Sequence, residues 1–399
     1  MPYKIRSFSV SDKISAASRR MSQLAFAVGG FAIGTAEFVI MGLLPEVAKT
    51  MDVSEPMAGH FISAYATGVV IGAPVLAVLT AKLPRKGLLI SLMLIYALAN
   101  IISTAAPDYT SFLILRFLSG FPHGVYFGVA AVTAAAMVPL KQRPQAIGNV
   151  MLGLTVATLF GMPGGTWLGQ LFGWRAAFVF VGVIALLAAF MIWRFMPVMP
   201  TAKGASPLAE LGALKSLQVW LMLAVIGVGS GGLFAVFSYI KPILLDVSGV
   251  PLVAVPFILP LFGLGMVAGN LVGPRVALQL GIMRAIFVTM IWSILVFPLF
   301  YFLSAAPLTA ALATFLIGTT FASQPSIQTR IMDVSARAPT LATALLHSFF
   351  NIANAVGAYA GGVVILAGYG WTSTAWVGAA FALGGWLLFL LSWRLDRNP

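Results

Sequence analysis

The sequence predicts an all-α polytopic membrane protein, with twelve transmembrane helices in two pseudo-symmetric six-helix bundles. Three observations predict it. Apolar residues make up 60% of the 399-residue chain and charged residues 8%, against about a quarter charged in soluble domains. Twelve apolar stretches are each long enough to cross a hydrocarbon core of about 30 Å, which takes about 20 helical residues. Glycines recur at a fixed offset between the first and second halves of the chain.

The spans are predicted at 21–45, 57–80, 87–106, 111–136, 146–171, 175–196, 218–245, 252–273, 282–304, 306–328, 341–367 and 372–393. An even number of crossings puts both chain ends on one side. Nineteen Lys and Arg residues fall on that side. They lie in the N-terminal tail (Lys4, Arg6, Lys13, Arg19, Arg20), the 2–3 loop (Lys82, Arg85, Lys86), the 4–5 loop (Lys141, Arg143), the 6–7 connection (Arg194, Lys203, Lys215), around the 8–9 turn (Arg275, Arg284), after span 10 (Arg330, Arg337) and at the chain end (Arg394, Arg397). The other side holds Lys49, Arg175 and Lys241. Cytoplasmic loops carry the excess of positive charge, so both termini are expected in the cytoplasm.

The formal net charge of +13 does not imply nucleic acid, because the basic residues are scattered over short loops with no soluble domain to gather them into a patch. They are read as topology determinants in contact with the lipid bilayer. With no cysteine in the chain, a disulfide framework and a cysteine metal site are excluded. Residues 1–20 are polar and basic, so no cleavable leader is expected. No metal site, cofactor or enzyme activity is expected either, since no nucleophile–base pair, metal cluster or phosphate loop is visible.

The predicted organisation is an N-terminal tail at 1–20, a first bundle at 21–196, a linker at 197–217 rich in Pro, Gly, Ser and Lys, a second bundle at 218–394 and a short tail at 395–399. With the second half shifted back by 197 residues, seven glycine pairs coincide, among them Gly34 with Gly231, Gly68 with Gly265 and Gly164-Gly165 with Gly361-Gly362. Random overlap at this glycine content gives about two. Pro45 with Pro242 and Trp174 with Trp371 share the offset. A duplicated six-helix unit is a transporter architecture, with its substrate site near the midplane between the halves. Such a two-half carrier is able to work as a monomer.

Ionisable groups inside a membrane are costly and point to function. Glu37 is the one carboxylate well inside a predicted span, eight residues from the outer end of span 1 and thus about 12 Å deep at ~1.5 Å per residue. Gly30, Gly34 and Glu37 share a helix face. Arg116 lies at a comparable depth on span 4, and His123 follows on the same face. If the two helices are neighbours, Glu37 lies between Arg116 and His123. The functional reading is a proton site, a carboxylate whose affinity changes with its surroundings, tuned by Arg116. The plainer reading is a fixed ion pair. His123 reads either as a pore-lining hydrogen-bonding group or as a packed histidine. Asp246, Asp333 and Asp396 sit at span ends and are expected to be solvated.

Gly161, Pro163, Gly164 and Gly165 make span 5 kinked and thin, suited to a gate or to close packing. On span 11, Asn351 and Asn354 share a face and are able to bind a polar substrate or a neighbouring helix. Tyr126 and Phe234 join them as aromatic candidates for the substrate cavity, with packing as the plainer alternative. An acid, a histidine and many aromatics together would suit a neutral or cationic amphiphile, a nucleoside or a sugar.

The run from Gly34 to Pro45 (Gly-Thr-Ala-Glu-Phe-Val-Ile-Met-Gly-Leu-Leu-Pro) resembles span 1 of bacterial drug:proton antiporters of the major facilitator superfamily, in the branch of arabinose-efflux-permease-like exporters. The run Leu115-Arg116-Phe117-Leu118-Ser119-Gly120 is similar to the family's span 4 arginine motif. Gly161-Met162-Pro163-Gly164-Gly165 resembles its antiporter signature. The resemblance implies the major facilitator fold and proton-coupled efflux of a small molecule such as a drug, sugar or nucleoside, by rocking of the two halves. An importer of a polar nutrient and a non-transporting sensor are the rival readings. One departure stands out. The family's 2–3 loop pattern pairs an acid with basic residues, and here Lys82, Arg85 and Lys86 remain without the acid. Another contact must hold the halves together.

Overall fold

The computed structural model describes residues 14–199, 206–335 and 339–397. Lys4, Arg6, Lys13, Lys203 and Arg337, counted above, lie outside the described residues, as do residues 1–13 of the tail and 200–205 of the linker. Eleven of the expected spans are continuous helices long and apolar enough to cross a membrane: Ala16–Gly42, His60–Leu79, Arg85–Ser103, Tyr109–Ala136, Leu140–Phe172, Arg175–Phe195, Leu217–Phe237, Leu252–Leu280, Ile282–Leu303, Pro339–Tyr369 and Trp371–Asp396. The tenth is interrupted. It runs as Pro307–Thr319 and Gln324–Val334, with a tighter turn over Thr320–Ser323. That turn packs on span 8, where the backbone of Thr319 and Ala322 fills the space beside Gly269 and Gly273.

Several ends differ from expectation for local reasons. Span 1 begins at Ala16 because Ser15 caps it, accepting a bond from the Ser18 amide at 3.1 Å. Span 8 runs on to Leu280 and stops at Gly281, whose φ of 81° a residue with a side chain rarely adopts. Span 4 opens on a reciprocal cap between Asp108 and Ser111. The carbonyls that end span 3 at Thr104 and Ala106 accept from Arg175, and Lys86 donates to the Met196 carbonyl at the end of span 6. Basic side chains at helix C-termini meet the negative end of the helix dipole.

The duplication extends to atomic packing. Spans 2 and 4 pack together, as do 8 and 10; spans 3 and 6 correspond to 9 and 12, and spans 1 and 5 to 7 and 11. At the span 2–4 crossing, the Phe117 carbonyl fills the space beside Gly68 and the Tyr65 carbonyl the space beside Gly120. At the 8–10 crossing, Phe315 does the same for Gly265 and Phe262 for Gly318. Gly68 and Tyr65 lie 197 residues from their counterparts, Gly120 and Phe117 lie 198, so the repeat carries a one-residue insertion between these helices. Without a hydrophobic drive between helices in lipid, backbone approach at small residues carries the packing.

The halves meet through spans 2 and 4 against 11, and span 5 against 8 and 10. Asn270 donates across this seam to the Gly148 carbonyl at 2.7 Å, and the Ser348 hydroxyl to Val70 at 3.3 Å. Asp333, expected to be solvated, pairs with Arg143 of the other half at 3.2 Å; Asp396 pairs with Arg330 at 2.6 Å. The fold brings these acids beside helical basic residues remote in sequence, a proximity that span counting does not show.

Glycine-to-alanine substitution tests the crossings. Gly68→Ala and Gly265→Ala each place a methyl group against a carbonyl, at an overpacking cost of about 1–3 kcal/mol, and should lower the thermal midpoint of the purified protein. Gly87→Ala, where nothing lies within 4 Å, should leave it unchanged or raise it.

Candidate functional site

A cavity of about 500 Å³ lies between the halves. Its walls come from the far end of span 1 (Phe38, Gly42), the far half of span 5 (Thr158 to Gln170), span 7 (Leu233 to Lys241), the start of span 8 (Leu252 to Met266) and Phe350 of span 11. These segments all lie toward the face opposite the one where span 1 begins and span 12 ends. On that terminal face the seam described above is closed. Apolar and aromatic side chains dominate the wall, and Thr158, Thr166, Gln170 and Lys241 supply polar side chains. Phe234 lies in the wall as expected, edge-on to Phe350 at 5.0 Å, and Phe237 stacks on Phe262 at 3.9 Å.

The gate motif flanks this cavity. Span 5 widens into one π-helical turn over Ala157–Gly161, then resumes at Met162–Phe172. Such turns often mark functional sites. Gly161 receives the Thr35 side chain of span 1, Gly165 receives Val39, and Gly164 faces open space. Pro163 lines the cavity. From the other half, Gly263 sits against Thr158 and Leu159 of the widened turn. The glycine motif thus seats span 5 on span 1, while the widened turn before it meets span 8.

The polar residues of spans 1 and 4 form a separate buried cluster. Arg116 is 0% exposed. Its guanidinium lies 4.5 Å from the Tyr65 ring centroid and 5.6 Å from that of Phe178, and its Nε donates to the Phe61 carbonyl at 3.4 Å. Both terminal nitrogens are without a hydrogen-bond partner. Glu37 is 7% exposed. No ion pair or hydrogen bond joins it to Arg116, and the two interact as charges across a longer gap. The fixed ion pair is therefore not what this state contains. Between Arg116 and His123 stands Tyr65, its ring against the guanidinium and its hydroxyl against the imidazole. The Tyr65 hydroxyl sits 3.0 Å from His123 Nδ1 and 3.1 Å from the Tyr96 hydroxyl, which donates to the Ile33 carbonyl.

His123 faces the seam. Its ring lies 5.5 Å from that of His347 on span 11, and His347 stacks on Phe127 at 4.7 Å. His347 was not among the sequence candidates, although a histidine inside a predicted span is itself the marker that singled out His123. Its buried Nε2 has no hydrogen-bond partner. Asn351 turns its amide back to the His347 carbonyl at 3.0 Å, and neither it nor Asn354 is in the cavity wall. Tyr126 is also outside it: its hydroxyl donates to the Phe26 carbonyl at 2.9 Å, tying span 4 to span 1. The expected acid and histidine are absent from the cavity wall in this state, and Lys241 is its charged residue.

At the terminal face, Arg85 and Lys86 sit at the start of span 3 and Lys82 is exposed. Glu210, on the connection between the halves, is buried and accepts from the Leu341 amide at 2.8 Å. Burial pushes its carboxyl above the usual carboxylate range, while the Leu341 amide, the Thr340 side chain and the Arg85 charge pull it part of the way back.

Tyr65→Phe tests the tyrosine–histidine chain. It deprives His123 and Tyr96 of a shared buried partner, which costs about 1–3 kcal/mol. The thermal midpoint should fall, whereas a Tyr109→Phe variant at an exposed hydroxyl should leave it close to the parent.

Residues 26–341 match the Major Facilitator Superfamily. The chain is 37% identical to the inner membrane transport protein YdhP of Escherichia coli K12, over 93% of this chain and 95% of that one. It is 33% identical to a chloramphenicol resistance protein of Streptomyces lividans, over 83% and 86%. It is 29% identical to a probable sugar efflux transporter of Pasteurella multocida, over 93% and 92%. The fold matches a crystal structure of the transporter FucP in the outward conformation with a TM-score of 0.76, at 15% identity, over 94% of this chain and 99% of that one. Together with the two duplicated bundles and the cavity between them, these similarities establish that the chain belongs to the Major Facilitator Superfamily and is a membrane transporter of small molecules.

Proposed function

We propose that this protein is a proton-coupled exporter of apolar, ring-containing small molecules, acting as a monomer in a bacterial inner membrane with both termini in the cytoplasm. The observation that carries the reading is the pairing of an apolar cavity with a buried carboxylate that has no ion-pair partner. Membership of the transporter family and similarity to a sugar efflux transporter and a chloramphenicol resistance protein support export. The one-sided basic residues support the orientation, and similarity to YdhP supports the inner membrane.

Glu37 is assigned the coupled proton. Buried near Arg116 but not bonded to it, its carboxyl is poised so that a small change in hydration or in the distance to the guanidinium alters proton affinity. Rocking of the halves supplies that change, because span 1 is seated in the glycine motif of span 5, and span 5 meets the other half. Protons enter from outside as substrate leaves. Gly161, Pro163, Gly164 and Gly165 form the moving wall.

The cavity narrows the substrate. A sugar would need several hydrogen-bonding side chains to replace the water it sheds, and this wall is mostly hydrocarbon and aromatic ring. Lys241 disfavours a cation. A neutral or anionic molecule with an aromatic or aliphatic body fits best, and chloramphenicol is a suitable first probe.

Transport into inside-out vesicles under an imposed pH gradient tests both parts. The parent protein should accumulate chloramphenicol and not arabinose, and Glu37→Gln should lose the pH-driven component at least tenfold while still binding. Unchanged proton-driven transport by Glu37→Gln would refute its role. Phe234→Ala should weaken the apparent affinity about tenfold, the factor expected for about 1.4 kcal/mol of lost aromatic contact.

A further inference from the structure

We infer that Glu210 is the latch that holds the terminal face of the seam shut, acting as a positioning residue for span 11. The inference rests on alternating access by the two halves, and not on the direction or coupling of transport.

Glu210 belongs to neither bundle. It sits in the short helix Pro207–Leu211, on the covalent connection between span 6 and span 7. A glutamate on a connecting loop is ordinarily solvated, yet this one is 7% exposed. The segment touches span 2 of the first half and span 11 of the second. The carboxylate reaches the first turn of span 11, where it accepts from the Leu341 amide at 2.8 Å. The first amides of a helix have no partner within it, and an acid there also meets the positive end of the dipole. Arg85, at the start of span 3, adds its charge from the first half. The 2–3 loop, residues 80–87, has no acid of its own.

One side chain therefore joins three bodies: the connection that carries it, the first turn of span 11, and the basic end of span 3. Opening the terminal face separates span 11 from span 2, which exposes the Leu341 amide or drags the connection with it. The ion pair that crosses the seam among the described residues, Arg143 to Asp333, has side chains 30% and 35% exposed, and exposed pairs contribute little. The buried bond of Glu210 carries more of the closed state's advantage. The hydrogen bond to the first turn is the main tie, so the uncharged isostere, which keeps the acceptor, should hold the seam although it gives up the weaker attraction to the dipole and to Arg85.

The chain has no cysteine, so paired spin labels can be placed without background. Leu140→Cys on the first half and Leu280→Cys on the second are exposed positions at the terminal ends of their helices. In nanodiscs the parent pair should give one short-distance population. Adding Glu210→Ala should create a longer-distance population, and Glu210→Gln should restore the parent distribution. Leu341→Pro keeps the acid, removes the amide donor at a helix position that tolerates proline, and should shift the distances as Glu210→Ala does; it also serves if Glu210→Ala does not fold. A parent-like distribution in both Glu210→Ala and Leu341→Pro would overturn the inference. So would a Glu210→Gln distribution as open as that of Glu210→Ala, since the isostere keeps the acceptor.

Discussion

A carboxyl group and a guanidinium, buried in one bundle and kept out of contact, are the constraint around which this molecule is organised. Arg116 is fully enclosed, its guanidinium spread over the rings of Tyr65 and Phe178 and its two terminal nitrogens unpaired. Glu37 feels that charge without touching it. In a low-dielectric interior such an arrangement is expensive, and Coulomb forces change steeply with distance. The surrounding packing must keep the pair from collapsing into contact. Tyr65, bonded to Tyr96 and His123 on either side of its hydroxyl, fixes the ring beneath the guanidinium, and the Ala157–Gly161 turn with the glycines after it fixes span 1 from behind.

Glycine gives that packing its stiffness. At the Gly68–Gly120 and Gly265–Gly318 crossings, carbonyl groups occupy the space where side chains would stand. Backbone-to-backbone contact allows little adjustment within each six-helix half. What is left free is the seam, where spans 2, 4 and 5 meet spans 8, 10 and 11. Here the contacts include polar ones: an asparagine to a carbonyl, a serine to a carbonyl, two imidazoles tilted against each other, and Glu210 beneath span 11. These are the bonds that the proposed rocking of the halves would have to break.

Much of the fold was legible from the chain because membrane insertion imposes a strong pattern on sequence. Length of apolar run, the side on which Lys and Arg fall, and a glycine offset of 197 residues are all one-dimensional quantities. Glu37 and Arg116 stood out because an ionisable residue inside an apolar run is conspicuous in one dimension too. Contacts between remote segments are not. Nothing near Glu210 in the sequence points to Leu341, and nothing near Asp333 points to Arg143. The turn that interrupts span 10 is set by Gly269 and Gly273 on span 8. Tyr126, Asn351 and Phe234 read alike as cavity or packing residues, because a polar or aromatic side chain on a membrane helix looks the same whether it faces a cavity or bonds to a neighbouring carbonyl.

The central claim is that the proton exchanged during transport resides on Glu37. The most direct test is proton release from the purified protein in a weakly buffered solution on addition of chloramphenicol. The account predicts release near neutral pH from the parent protein and none from the Glu37→Gln variant, with binding retained in both. Equal release from both proteins would place the coupled proton elsewhere and contradict the account.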